Sequence, residues 1–463
     1  MRIEHDLLGE LAVPKDAYYG IHTFRAAENF SLSGILVHRE LIRAFALIKL
    51  AAASANRDTG SLQPNLAEAI ITACEEILRG KFSEDFILDA LQGGAGTSTN
   101  MNINEVIANR ASELLGGVRG SYSPVHPIEH VNLSQSTNDV YPTAIRIAAI
   151  SLLKRLTKAF ALLQEAFQAK EQEFAAIAKL GRTQLQDAVP ITLGQEFGAF
   201  AQAFARDRWR LYKVEERLRV IPLGGTAIGT GLNANRQYIY KVTDYIQDLT
   251  GLGLARAENT VELNQNCDVF VEVSGLLKAS AVNLAKVAGD LRLLASGPRG
   301  GLGEISLPPV QAGSSIMPGK VNPVITEAVT QVAYQVIAND TAITLAAQAG
   351  QLELNAFGPL ISHNLLQSLE LLERAVTNLR EKCVVGIEAN KKRCLELLES
   401  SFALLTALCP VIGYDRAGEL SRQALEMNLS IPQVLQKNGL LQDPEVTRFL
   451  ASQNLIFPIE IND

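Results

Sequence analysis

Proline is excluded from helix interiors and tolerated in the first turn, so the stretches of this chain that lack it limit what it can become. One Pro-free window runs from Thr143 to Val189, with Leu152, Leu156, Phe160, Leu163 and Phe167 spaced by threes and fours. Pro142 stands where a first-turn proline belongs, and the spacing predicts a long amphipathic helix. A second window follows Pro190 through Leu193, Phe197, Phe200 and Phe204 toward Pro222. A third covers Cys267 to Ser296 through Leu277, Leu284, Val287, Leu291 and Leu294, and Gly297-Pro298 stops it. Pro323 opens a fourth toward Gly350, and the window from Leu360 to Leu408 holds at least one more helix. Helices of about 30 residues are about 45 Å long, and antiparallel neighbours of that length form bundles.

On either side the helical stretches are shorter. Leu41 to Ala55 and Asn65 to Leu78 precede the bundle; Lys391 to Cys409, Tyr414 to Met427 and Ile431 to Asn438 follow it. The expected organisation is mainly α in three parts: a mixed, mostly helical N-terminal domain (1–139), a central helical bundle (140–390) and a small helical C-terminal domain (391–463). Composition agrees, since 47% of the chain is hydrophobic and only 6% aromatic, which builds a core of Ala, Leu, Ile and Val. Strand signals are sparse and short.

A net charge of −7, from 42 basic and 49 acidic residues, gives no attraction to nucleic acid or anionic membrane. The five cysteines are scattered and never spaced CxxC, fitting neither a disulfide framework nor a zinc site. The N-terminus MRIEHDLLGE lacks the basic and apolar regions of a signal peptide, and charges such as Lys278 and Lys286 interrupt the apolar helices. A cytoplasmic protein is expected.

Four segments break the helical pattern with Gly, Ser, Thr and Asn: GGAGTSTNMNIN (93–104), NLSQSTNDVYPT (132–143), GRTQLQDAVPITLGQ (181–195) and GSSIMPGKVNP (313–323). Each alone reads as turn and cap chemistry. Together, at the mouths of long helices, they supply hydroxyl, amide and backbone N–H donors with only two cations, Arg182 and Lys320, and so resemble anion-binding loops. GSSIMPGKV fails the P-loop spacing and has Val321 after the lysine, and GGAGTST lacks the third glycine of a dinucleotide fingerprint. His126 and His130 are separated by Pro127, no HExxH or acidic calcium loop occurs, and no metal or cofactor is expected.

GSSIMPGKVNP, read with GRTQLQDAVP and QSTND, resembles the signature set of the aspartase/fumarase superfamily, and GGAGTSTNMNINE with QDAVPITLGQEF resembles its aspartase branch most. The likeness extends from PKDAYYGIHTFRAAENF through GQLELN to IGYDRA. It implies a central five-helix bundle that forms a twenty-helix core in a homotetramer, with active sites shared between three subunits. Ala328 to Ala347 fits such an assembly: Val329, Val332, Val336, Ile337, Ile343 and Leu345 spread around more of the helix than one subunit's core requires.

The implied reaction is reversible anti elimination of ammonia from L-aspartate to give fumarate through an aci-carboxylate. The resemblance assigns Ser314 as general base on a flexible loop between Gly313 and Gly319, with Lys320 and loop N–H groups favouring its alkoxide. It gives Thr97, Ser136 and Thr137 the β-carboxylate, and Lys320, Asn322 and Thr183 the α-carboxylate. Asn138 and Gln184 would sit near the amino group, with Ser315 a further substrate contact. Gln184 stands where fumarases of this superfamily carry His; an ammonium leaves already protonated, so a neutral amide suits deamination better than dehydration. The alternatives are a class II fumarase-type hydratase acting on malate and fumarate, or a non-catalytic structural relative. The chain departs from the family pattern at Phe357-Gly358, where aspartases tend to carry Met-Glu, and over Glu258 to Asp268.

Overall fold

A computed structural model describes residues 1–450; residues 451–463, the end of the expected C-terminal domain, lie outside that description. Chain contacts divide the protein into two compact units. The first comprises Met1–Thr157, Trp209–Ala281 and Tyr334–Glu373; the second comprises Lys158–Arg208, Val282–Ala333 and the chain from Arg374 onward.

The chain opens with an antiparallel hairpin, β1 (Arg2–Asp6) and β2 (Gly9–Val13). Then come α1 (Ile21–Asn29), α2 (Arg39–Asp58), α3 (Pro64–Leu78) and α4 (Thr97–Leu114). His38 caps α2 by accepting from the Glu40 N–H at 3.2 Å, and Pro64 opens α3, where its missing N–H costs nothing. Both predicted N-terminal helices are present, the first longer at each end.

The first long helix, α5 (Thr137–Glu173), buries Leu152, Leu156, Phe160, Leu163 and Phe167 completely. Pro142 lies inside it, past the first turn. A proline there cannot bond the carbonyl four residues back. That carbonyl, on Asn138, instead receives the side-chain amide of Asn264 at 3.3 Å, in the amide orientation that also lets Asn264 accept from the Gly229 N–H at 3.1 Å.

The helix expected to fill Thr143 to Val189 stops at Glu173. An antiparallel hairpin follows, β3 (Ala178–Thr183) and β4 (Gln186–Thr192), with Pro190 opposite Leu180. Both strands of a hairpin are edges, so a proline is tolerated there. Next come α6 (Leu193–Val214), the shorter α7 (Arg236–Thr250) and α8 (Thr260–Gln265), and the long α9 (Asp268–Leu294), α10 (Val324–Gln348) and α11 (Gly358–Lys382). The end of the described chain carries α12 (Lys391–Ser400), α13 (Ala403–Ile412), α14 (Tyr414–Met427), α15 (Ile431–Lys437) and α16 (Pro444–Leu450). The fold is mainly α, as expected.

Side chains join the long helices within each unit. In the first, Lys278 and Ser274 of α9 hold Asp340 of α10 at 2.6 and 2.8 Å, and Asn339 of α10 reaches Gln367 and Ser368 of α11, each at 3.0 Å. Arg155 of α5 pairs with Glu373 of α11 at 3.3 Å. In the second unit, Phe160 and Phe167 of α5 meet Phe197, Phe200 and Phe204 of α6 with ring centroids 5.4 to 5.9 Å apart. Edge and tilted contacts of this kind add to the burial of each ring.

The segment expected as one helix from Lys391 to Cys409 breaks into α12 and α13. Ser401 turns the chain, donating to the Leu398 carbonyl at 2.8 Å and accepting from the Ala403 N–H at 3.3 Å. The break lets Leu398, Leu404, Leu405 and Leu408 join Leu420, Leu435 and Val446 in one apolar cluster. Among the described residues no single helix is long and apolar enough to cross a membrane. On α10, Val329, Val336 and Ile343 are buried, while the exposed stripe Ala328, Gln331, Tyr334, Ala338, Thr341 and Leu345 carries no charge.

Candidate active site

The first unit builds a hydroxyl-lined cavity from two helix N-termini. At α4, Gly94, Ala95 and Gly96 all have positive φ, and a Cβ on Gly96 would collide with the Tyr141 ring. Glycine there lets the loop lie flat on Tyr141 and delivers Thr97 to the start of the helix. The Thr97 hydroxyl is exposed and donates to the Gly94 carbonyl at 2.7 Å.

At α5, the Ser136 N–H donates to Asp139 Oδ1 at 3.0 Å and the Asn138 N–H to Ser136 Oγ at 3.2 Å. Asp139 is fully buried, and its other oxygen accepts the N–H groups of Gly224 and Thr226 at 3.1 and 3.0 Å. Burial pushes its carboxyl up to about 6, opposed by these donors and by Lys49. Thr97, Ser136 and Thr137 then face one cavity of about 420 Å³, with Asn100, Asn132 and Gln135 in its wall.

Behind the cavity lies a polar core that the sequence reading missed. Lys49 of α2 is fully buried and donates to Asn132 Oδ1 at 3.0 Å and Gln135 Oε1 at 2.9 Å. Asn132 Oδ1 also accepts from Asn100 at 3.1 Å and Asn104 at 3.2 Å, and Asn100 reaches Thr137 Oγ1 at 3.2 Å. Burial pulls the Lys49 ammonium down to about 7, against the attraction of Asp139. The signals for this core were one lysine in the apolar run FALIKLAAA and two asparagines four apart on α4.

The second unit carries the other predicted residues on two projecting features. Thr183 and Gln184 sit exposed at the tip of the β3–β4 hairpin. Gln184 and Leu185 have φ of 53° and 62°, the two-residue turn that matches strand twist but is costly for residues other than Gly, Asn and Asp. The hairpin is anchored one residue earlier. Arg182 Nη1 lies 3.0 and 3.1 Å from the two oxygens of the fully buried Glu304, which also pairs with Lys179 at 2.9 Å. Arg182, counted in the sequence as a cation free for anions, is therefore committed to an internal ion pair.

The remaining segment, 313–323, forms a closed loop before α10. Asn322 donates its side-chain amide to the Gly313 carbonyl at 2.6 Å, and a Cβ on Gly313 would collide with the Lys320 carbonyl. Ser314 Oγ accepts the N–H groups of Ile316 at 3.2 Å and Met317 at 3.0 Å. Two donors on one hydroxyl oxygen stabilise negative charge on it, the arrangement a serine base needs. Ser315 and Lys320 are exposed, and Lys320 makes no ion pair among the described residues.

The histidine pair is structural: His130 Nδ1 accepts from the His126 N–H at 2.9 Å, and His126 Nδ1 from Ile128 and Glu129. No group of three or more His, Cys, Asp or Glu is placed to hold a metal among the described residues.

Comparison with known proteins finds a family profile described as Lyase over residues 9–338 and one described as Fumarase C C-terminus over residues 404–456. The chain is 50% identical to the aspartate ammonia-lyase of Pseudomonas aeruginosa over 460 residues, covering 99% of this chain and 97% of that one. A fumarate lyase:delta crystallin from Brucella melitensis, solved bound to cobalt, superposes with a TM-score of 0.94 at 52% identity over 99% of this chain and all of that one. A class II fumarase from Schistosoma mansoni does so with a TM-score of 0.93 at 34% identity, over 99% of this chain and all of that one.

Proposed function

The chain belongs to the aspartase/fumarase superfamily of lyases, and from that membership we propose that it is an aspartate ammonia-lyase, eliminating ammonia from L-aspartate to give fumarate. What carries the reading is the full-length likeness to aspartate ammonia-lyases, joined to the four motif segments described above. The difficult step is removal of a non-acidic proton from the carbon beside the β-carboxylate, and preorganised donors lower that barrier most.

In this reading Ser314 Oγ, favoured as alkoxide by the Ile316 and Met317 N–H groups and by Lys320, takes the proton. Thr97, Ser136 and Thr137 hold the aci-carboxylate; Thr97 exchanges its Gly94 carbonyl for a ligand oxygen. Lys320, Asn322 and Thr183 hold the α-carboxylate, with Ser315 alongside. Asn138 already donates its amide N–H to the Ala227 carbonyl at 2.7 Å, which leaves its side-chain oxygen to accept from the substrate ammonium. Gln184 is assigned to the amino group as well, and ammonia then departs as the double bond forms.

The reading includes a homotetramer with sites shared between three subunits, supported by the charge-free exposed stripe of α10, and a cytoplasmic location, supported by five free thiols. It keeps the three-part division 1–139, 140–390 and 391–463, which follows the change from short to long helices and back. One incubation tests the chemistry: L-aspartate should release fumarate and ammonia while L-malate yields little. Brisk dehydration of malate with inert aspartate would establish the hydratase instead, and silence on both a non-catalytic relative.

A further inference from the structure

Among the described residues, buried cations have side-chain acceptors as partners, with one exception. Lys49 holds two amide oxygens, and Lys179 holds Glu196 and Glu304 at 2.8 and 2.9 Å. Arg146, on α5 below the Ser136–Asn138 loop, is 1% exposed and pairs with no carboxylate among the described residues. Among the described residues its only hydrogen bond runs from Nη1 to the Pro142 carbonyl at 3.2 Å, and Nε has no partner. The ring of Phe270 faces the guanidinium, 4.8 Å from centroid to Cζ. Glu262 and Asp268 act on it only at longer range, and burial pulls it down to about 10, so it is charged at neutral pH.

Arg146 lines a cavity of about 30 Å³ together with Thr137, Asn138, Asn264, Cys267 and Gly358. The two stretches that leave the family pattern therefore meet here, Asn264 and Cys267 from one and Gly358 from the other. Glycine at 358 brings no side chain into that wall; a Cβ there would lie 3.4 Å from the Tyr141 ring. A single water needs about 10–15 Å³ by the same measure, so the cavity has room for a water or an ion of similar size. A water would satisfy one donor and leave the charge uncompensated; a small anion meets both needs.

We propose that this cavity is a binding site for a single monatomic anion of the halide class, chloride under ordinary conditions, held by the Arg146 guanidinium beneath the loop that carries Thr137 and Asn138. The anion supplies the counter-charge that the chain omits. Because Thr137 and Asn138 form part of the same wall, occupancy also firms that loop.

The test uses the full-length protein. Crystals grown in sodium bromide should show an anomalous bromine peak within hydrogen-bonding distance of Arg146. In solution, chloride or bromide should raise Tm saturably by about 2 °C or more over sodium gluconate at equal ionic strength, and Arg146→Gln should abolish that difference. Arg146→Lys, which keeps the charge, should retain part of it if the Gln variant fails to fold. A water alone at the guanidinium, a carboxylate of a neighbouring subunit paired with it, or equal Tm in bromide and gluconate would each overturn the assignment.

Discussion

Thr137 is 7% exposed and follows Ser136, whose N–H binds a carboxylate that is wholly buried, while Ser315, Lys320 and Gln184 stand exposed on a loop and a hairpin tip. Both units offer hydroxyls, amides and backbone N–H groups to an anion, yet they secure them differently. In the first unit Asp139, Asn132, Gln135 and Lys49 fix the loop from behind, through buried hydrogen bonds that are costly to lose. In the second, the groups are tied to their own loop: Ser314 to Ile316 and Met317, Asn322 to Gly313. The carboxylate that gathers charge needs donors that do not reorganise. In the proposed reaction the base has to approach substrate and exclude water, and a loop that carries its own hydrogen bonds can do so as a piece.

The contrast implies that substitutions on the projecting features act on rate and those behind the cavity on stability. Ser314→Ala gives the largest expected effect, a loss of turnover of about 10³-fold or more with Tm unchanged, read by a fumarate absorbance assay beside calorimetry. Near-normal turnover would remove Ser314 as base. Glu304→Gln strips the counter-charge from Arg182 and one of two from Lys179. It should destabilise the second unit by about 3 kcal/mol in urea unfolding, and wild-type stability would show that the hairpin is held some other way.

Lys49→Met should cost about 2 kcal/mol, since Asn132 and Gln135 lose a buried donor. It also changes the pH dependence. The folded ammonium titrates near 7 and the unfolded one in the ordinary lysine range, so between these values the unfolded chain holds a proton that the folded chain has released. Lys49 therefore makes stability rise as pH increases through that interval. The Met variant should lose that slope, and an unchanged slope would assign it elsewhere. The smallest effect belongs to Leu185→Asn at the hairpin tip. Asn tolerates the left-handed backbone better, and a gain of about 0.5 kcal/mol is expected, measured as a small rise in Tm.

Much of this architecture is legible in proline positions and apolar spacing, because helix interiors exclude one and require the other. Phe160, Phe167, Phe197 and Phe204 were placed in the core by spacing alone. The hairpin is not, because its first strand has Thr183 as its one β-branched residue and its strands owe their place to Glu304, far along the chain. The same limit applies to Lys49, whose meaning depends on Asn132 and Gln135. The motif segments point to the hydroxyls that line the cavity, but not to the buried groups that aim them.

Pro142 illustrates how far such aiming extends. By withholding an N–H from its own helix it leaves the Asn138 carbonyl vacant, and Asn264, from a distant stretch of chain, docks there. A position outside the hydroxyl-lined cavity thus writes the address at which two remote segments are stitched together beside it. Efforts to re-engineer substrate preference that vary only cavity-facing side chains would leave that stitch, and the loop geometry it dictates, unchanged.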